Sequence, residues 1–311
     1  MLVGLVDPNG EIRSLKECLE EGALDEWYPR SYVAAAADVR EWRGKASVTQ
    51  GLNGTRLEFF KILVDYVDDP AESAFKIIGT RGHGTLEKYA KMFGLAEKRL
   101  EDPDISGILD SLEQWNDGSW VLTDYKTWGA YRVMRALGAT AQNEPVLGAD
   151  GEPTYYKSGQ KKGQMVTKRV VKIDSSAGDL REPAMQLNRY RILAKDELGI
   201  DAARMRIFAI VRDGGTANAR GNNVTKNTYM IPVERIDDEK VLAYFGEKSR
   251  LLVEAVAKAE EFMQKGQGRM EAVRDATPAM CTEEENWRGR RCQGYCPVAT
   301  FCKTIGDNPH L

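Results

Sequence analysis

The chain has 311 residues, of which 42% are hydrophobic and 29% charged, with a net charge of −3. That balance is ordinary for a globular protein and gives no global attraction to nucleic acid, so any such contact needs a locally basic surface. No apolar run approaches bilayer-spanning length, and the first residues carry neither a basic stretch nor a long apolar core, so a cytoplasmic protein with no signal peptide or membrane segment is expected.

In chain order, Ser14–Gly22 and Ser31–Trp42 read as short helices. Ala46–Val67 and Ala71–Phe93 carry apolar residues at helical spacing, the second interrupted by Gly79, Gly82 and Gly84. Asp104–Trp115 and Ser119–Trp128 are strand-like, and Asn116-Asp117-Gly118 between them suits a three-residue hairpin loop with glycine in the left-handed position. Residues 138–182 are rich in glycine, lysine and polar side chains, with a candidate strand at Met165–Ile173. Glu182–Leu198 reads as a helix, Ala203–Val211 and Thr228–Val233 as strands, and Asp237–Gln264 as a long helix before a cysteine-rich tail. This order points to an α/β sheet with helices on its faces.

The hairpin concentrates acidic residues. With the loop on 116–118, Asp110 and Asp124 each lie seven positions from Asp117 and so oppose one another. Opposed residues on one sheet face hold their Cβ atoms about 5 Å apart. Two carboxylates that close repel, and a hard divalent cation such as Mg²⁺ or Mn²⁺ between them removes the conflict. Lys126, two residues beyond Asp124, points to the same face, where an ammonium can orient a water or offset charge on a phosphate. A solvated amphipathic hairpin is the plain alternative.

These residues, with their neighbours, resemble the RecB-like branch of the PD-(D/E)XK nucleases. Gly107-Ile108-Leu109-Asp110 is similar to the family's G-x-x-D, Asp124-Tyr125-Lys126 to its D-x-K, and Gln186-Leu187-Asn188-Arg189-Tyr190 to its Q-x-x-x-Y. The G-x-x-H element is matched loosely by Gly79-Thr80-Arg81-Gly82-His83, with Thr80 where the family's glycine would fall. The resemblance implies a restriction-endonuclease-like mixed central sheet flanked by helices. It also implies cleavage of DNA phosphodiesters, by an exonuclease on ends or single strands, with a structure-specific endonuclease or a non-catalytic DNA-binding subunit as alternatives. His83, Asp110, Asp124 and the Tyr125 carbonyl would bind the cation. Lys126 would assist the chemistry, and Gln186 and Tyr190 would sit one helical turn apart near the site. Glu87, one turn after His83, is a further acidic neighbour or an exposed helix residue. The domains expected are an N-terminal helical region (1–70), a nuclease core (71–280) with an inserted basic segment at about 138–182, and a cluster segment (281–311).

Four of the five cysteines, Cys281, Cys292, Cys296 and Cys302, fall in the last 31 residues at C-x10-C-x3-C-x5-C spacing. Inside a cell such clustering reads as metal binding, through zinc or an iron–sulfur cluster. The tail resembles the iron–sulfur subgroup, seen in AddB-type nuclease domains and the CRISPR-associated RecB-like exonucleases. That resemblance implies a 4Fe–4S cluster, with zinc as the alternative. The subgroup more often has C-x2-C, and it marks with cysteine an upstream segment that here, at 46–56, has none. Cys281 is therefore expected as the fourth ligand, with Cys18 as its rival. Finally, Lys157, Lys161, Lys162, Lys168, Arg169 and Lys172, beside Tyr155 and Tyr156, form a basic segment suited to phosphates and unpaired bases, or else a solvated loop.

Overall fold

The structure, a computed structural model, describes every residue except Ser175 and Ser176, which lie in the expected basic segment. In chain order the elements begin with β1 (Leu2–Val6), β2 (Ile12–Ser14), a π-helical turn (Glu17–Glu21), α1 (Arg30–Ala37), β3 (Ala46–Ser47), α2 (Val48–Leu52), α3 (Thr55–Leu63) and β4 (Tyr66–Asp68). There follow a 3-10 turn (Pro70–Ser73), α4 (Ala74–Ala90), β5 (Gly94–Glu101), β6 (Ile105–Gln114), β7 (Trp120–Trp128), α5 (Ala130–Ala136), β8 (Ala139–Pro145), β9 (Thr167–Ile173) and α6 (Arg181–Leu198). The chain closes with β10 (Arg204–Val211), α7 (Ala217–Gly221), β11 (Thr228–Val233), α8 (Asp238–Gln264), α9 (Arg269–Asp275), α10 (Arg290–Gly294) and α11 (Ala299–Ile305). The protein is mixed α/β, and no described helix is long and apolar enough to cross a membrane.

The chain divides into two compact units. The first comprises residues 1–122, 184–205 and 234–311, and the second residues 123–183 and 206–233. In the first unit, β1 pairs antiparallel with β2 and parallel with β4. That small sheet adjoins a cluster in which Leu5, Cys18, Leu24 and Val33 are wholly buried. Also in this unit, β6 pairs antiparallel with β5 along its length and parallel with β3 at its start. Burial alternates along most of β6, with Ile105, Gly107, Leu109 and Ser111 buried on one face and Ser106, Ile108 and Asp110 half-buried on the other.

Three helical expectations change. The stretch 46–67 is a short strand, two helices and another strand. Ser47 closes a capping box with Gln50 at the start of α2, and α2 ends at Asn53, whose extended backbone precedes the Gly54 that caps α3. The glycines at 79, 82 and 84 do not break α4, which runs through all three. Glycine costs a helix about 1 kcal/mol apiece without forbidding it. Ser14–Gly22 is a strand end followed by a π-helical turn, not an α-helix.

The hairpin loop has the register expected from sequence. The N–H of Trp115 donates to the Ser119 carbonyl at 2.9 Å, Gly118 closes the turn onto Trp115 at 2.8 Å, and Gly118 takes a φ of 79°. A salt bridge from Arg204 to Asp117 at 2.9 Å holds the tip.

In the second unit, β8 and β9 form a two-stranded ribbon that continues through isolated bridges at Leu147–Pro153 and Tyr155–Met165. The 139–173 segment holds six basic and three acidic residues, a net charge of +3.

Candidate metal centre and cysteine pocket

His83, on α4, sits with its Nδ1 3.7 Å from Oδ1 of Asp110 on β6. Glu97, on β5, joins them, so that one ligand atom from each of the three lies within 4.8 Å of the others. Two ligands on one Mg²⁺ or Mn²⁺ at about 2.1 Å each stand at most about 4.2 Å apart, so the His83–Asp110 spacing fits a shared ion. One imidazole nitrogen and two carboxylate oxygens suit a divalent cation of intermediate hardness.

Glu97 is the candidate ligand that sequence reading missed. The antiparallel register pairs Ala96 with Ser111 and Lys98 with Leu109, which sets Glu97 opposite Asp110. Its backbone is left-handed, with φ at 49°, a conformation that costs a glutamate about 1–2 kcal/mol and that tends to gather at functional sites. Burial raises the Glu97 carboxyl above its ordinary pKa, and the nearby Glu87 carboxylate adds to the rise. Glu87 is therefore an electrostatic neighbour of the cluster, itself ion-paired with Lys91.

Gly107 explains why α6 lies where it does. A Cβ at this position would meet Cε1 of Tyr190 at 2.4 Å, so only glycine lets the tyrosine ring rest on β6, three residues before Asp110. Tyr190 is buried, and Gln186 Nε2 donates to its hydroxyl at 3.2 Å. Gln186 and Tyr190 are thus joined along one helix face, as the one-turn spacing implies.

Asp124, Tyr125 and Lys126 belong to the second unit. Asp124 is 2% exposed, and Lys126 Nζ stands 3.0 Å from its Oδ1 and 2.8 Å from its Oδ2. The Oδ2 contact is close in distance but lacks hydrogen-bond geometry, so this buried oxygen accepts no hydrogen bond among the described residues. A buried carboxylate oxygen in that state fits a cation ligand. The Tyr125 ring is buried, edge-on to Phe208 at 6.3 Å between centroids.

On the ribbon, Lys157, Lys161 and Lys162 lie near the tip, with Lys161 Nζ 5.8 Å from the centre of the Tyr156 ring. Two of the other cations are tied locally, since Lys172 pairs with Glu144 at 2.8 Å and Arg169 donates to Asn222 at 2.7 Å. Lys168 lies opposite Glu144 in the strand register.

Cys281, Cys292, Cys296 and Cys302 line one pocket in the first unit, with Arg56, Leu57 and Phe60 of α3. Cys18 lies instead in the N-terminal cluster and is no ligand of this pocket. A Cβ at Gly54 would come within 2.3 Å of Cys281 Sγ. The Cys281 sulfur thus fills the space a side chain at 54 would occupy, inside the 46–56 segment that has no cysteine of its own. Burial raises the thiols of Cys281 and Cys296, the latter to about 11, so metal binding here would release protons. Among the described residues no three of these sulfurs lie within 4.8 Å of one another. One tetrahedral zinc would gather its thiolates to about 3.8 Å, given Zn–S bonds of about 2.3 Å. Four cysteine sulfurs converging on one pocket are the donor set that zinc or an iron–sulfur cluster takes.

No protein-family model matches the chain, and no curated protein matches it. Among solved structures, the crystal structure of SSO0001 is 16% identical, with a TM-score of 0.39 and 94% of each chain covered. Likeness at that level assigns neither fold nor activity.

Proposed function

We propose that the protein is a metal-dependent DNA nuclease with a restriction-endonuclease-like core and an iron–sulfur tail. The observation that carries the reading is the convergence of His83, Glu97 and Asp110 from one helix and two strands on a volume suited to one cation. It is supported by Asp124, whose buried Oδ2 accepts no hydrogen bond among the described residues, and by the adjacent ammonium of Lys126. The expectation from sequence that Asp110 and Asp124 serve one ion is kept as part of this proposal.

When bound, Mg²⁺ or Mn²⁺ supplies Lewis acidity toward a phosphoryl oxygen. The chain's own residues do the rest. His83, Glu97 and Asp110 would supply ligand atoms, Asp124 is the further carboxylate that the sequence assigns to the ion, and Lys126 would offset the charge that grows on the phosphate during attack. Gln186 and Tyr190 fix the helix beside β6 and offer polar groups toward the substrate backbone. The ribbon lysines bind phosphates. The four cysteines hold a 4Fe–4S cluster that ties the tail to α3.

The test is cleavage of end-labelled DNA by anaerobically purified protein, with and without Mg²⁺ or Mn²⁺. Asp124→Ala and Lys126→Ala should each abolish cleavage while leaving melting temperature and iron content close to those of the parent. Full activity in either variant refutes the assignment. A circular single-stranded substrate, which only an endonuclease opens, separates the exonuclease from its alternative.

A further inference from the structure

Two side chains aim N–H groups at the sulfurs of the cysteine pocket. Asn308 Nδ2 lies 3.5 Å from Cys302 Sγ and 3.7 Å from Cys292 Sγ. Its orientation is set from the other end, because Asn308 Oδ1 accepts the His310 N–H at 3.0 Å. The carbonyl oxygen is therefore spoken for and the amide nitrogen faces the sulfurs. Arg56 Nη1 lies 3.9 Å from Cys302 Sγ. The guanidinium is 4% exposed and is gripped by Asp307 through two contacts of 2.6 and 2.8 Å, while its Nε donates to the Pro278 carbonyl at 2.9 Å.

Neutral thiols gain little from such donors, being weak acceptors, whereas thiolates gain much. In a pocket lined by Leu57, Phe60, Val298 and Leu311, little water competes. A one-electron reduction adds negative charge to the centre without making or breaking a bond. Donors and a cation fixed beside the sulfurs favour the state with that extra charge.

We propose that Asn308 and Arg56 are positioning residues that raise the reduction potential of the thiolate-bound centre, making it able to accept an electron and not merely structural. This rests on the iron–sulfur reading above.

The experiment uses the full chain, purified without oxygen. Iron, zinc and sulfide are measured first. The midpoint potential is then found by dithionite titration with mediators, followed by electron paramagnetic resonance, with dithionite as the one-electron donor. Asn308→Leu should lower the midpoint by the equivalent of about a tenfold change in the reduction equilibrium, about 59 mV for one electron. Asn308→Asp, which keeps the shape but adds a like charge, should lower it further, and Arg56→Lys less. An iron-loaded Asn308→Leu protein with the parent's midpoint overturns the proposal. So does failure of both Asn308 variants to assemble the centre, which would make the residue structural only. A parent protein that holds zinc, or no metal, overturns the cluster reading as well, and the metal analysis identifies that outcome before any potential is measured.

Discussion

Glu97→Gly separates the backbone strain at the candidate metal centre from the ligand role proposed for this residue. At φ 49° a glutamate carries about 1–2 kcal/mol of steric penalty that glycine does not. Against this, glycine in a strand costs about 0.5–1 kcal/mol in chain entropy. Burial also disfavours the ionised Glu97 carboxylate, so its removal helps the metal-free fold. Without metal the variant should therefore be as stable as the parent or better by up to about 1.5 kcal/mol, a rise in melting temperature of about 3–6 °C at most. With Mn²⁺ at a hundred times its dissociation constant, the parent should gain about 2.7 kcal/mol, or about 5–10 °C. A site weakened a hundredfold by loss of one ligand would gain only about 0.4 kcal/mol under the same conditions. Calorimetric melting of both proteins, with and without Mn²⁺, reads all four values. A parent-sized Mn²⁺ shift in the variant would remove Glu97 from the ligand set. A metal-free variant clearly less stable than the parent would refute the strain argument.

Other consequences are equally direct. Gly54→Ala drives a methyl group to within 2.3 Å of Cys281 Sγ and should lower iron content per chain well below that of the parent, as measured colorimetrically. Gly107→Ala pushes on the Tyr190 ring at 2.4 Å and should destabilise the protein by about 1–3 kcal/mol in denaturant titration, with Tyr190→Ala restoring part of the loss. Replacing Lys157, Lys161 and Lys162 with alanine should weaken DNA binding and flatten its salt dependence by up to about 0.7–0.9 per lost phosphate contact, so an unchanged slope would exclude the ribbon from the interface. Asp102 is half-buried, which alone would raise its pKa, but Arg189 and the N–H groups of Ile105 and Asp104 bring it below the ordinary carboxylate value. Since its folded pKa is depressed, its stabilisation is present above the unfolded value near 3.9 and is lost as pH falls through the folded value. Asp102→Asn should flatten the acid limb of the stability–pH curve, which urea melts between pH 2 and 6 would show.

What sequence reveals here follows from how local each signal is. The Asn116-Asp117-Gly118 loop, the Asp124-Lys126 pair, β11 and the long α8 are set by residues within a few positions of one another, and they were legible at nearly the correct bounds. Gly94–Glu101 was not, because GLAEKRLE is made of good helix formers, and only pairing along β6 holds it extended. With β5 unseen, Glu97 had no visible reason to face Asp110. Gly4 and the parallel pairing of β1 with the distant β4 similarly hid the first strand. The cysteine spacing announced a shared pocket, but the Gly54 gap that admits Cys281 exists only once α3 and the tail meet.

The Arg56–Asp307 grip joins residues 251 positions apart. At a synthesis rate of about 5–20 residues per second, helix α3 waits about 13–50 s on the ribosome for its carboxylate partner. Through that interval a guanidinium destined for burial and the adjacent Phe59 and Phe60, both fully buried in the finished protein, stay uncovered. Yield in a cell should therefore depend on chaperone capacity as much as on the intrinsic stability of the native state.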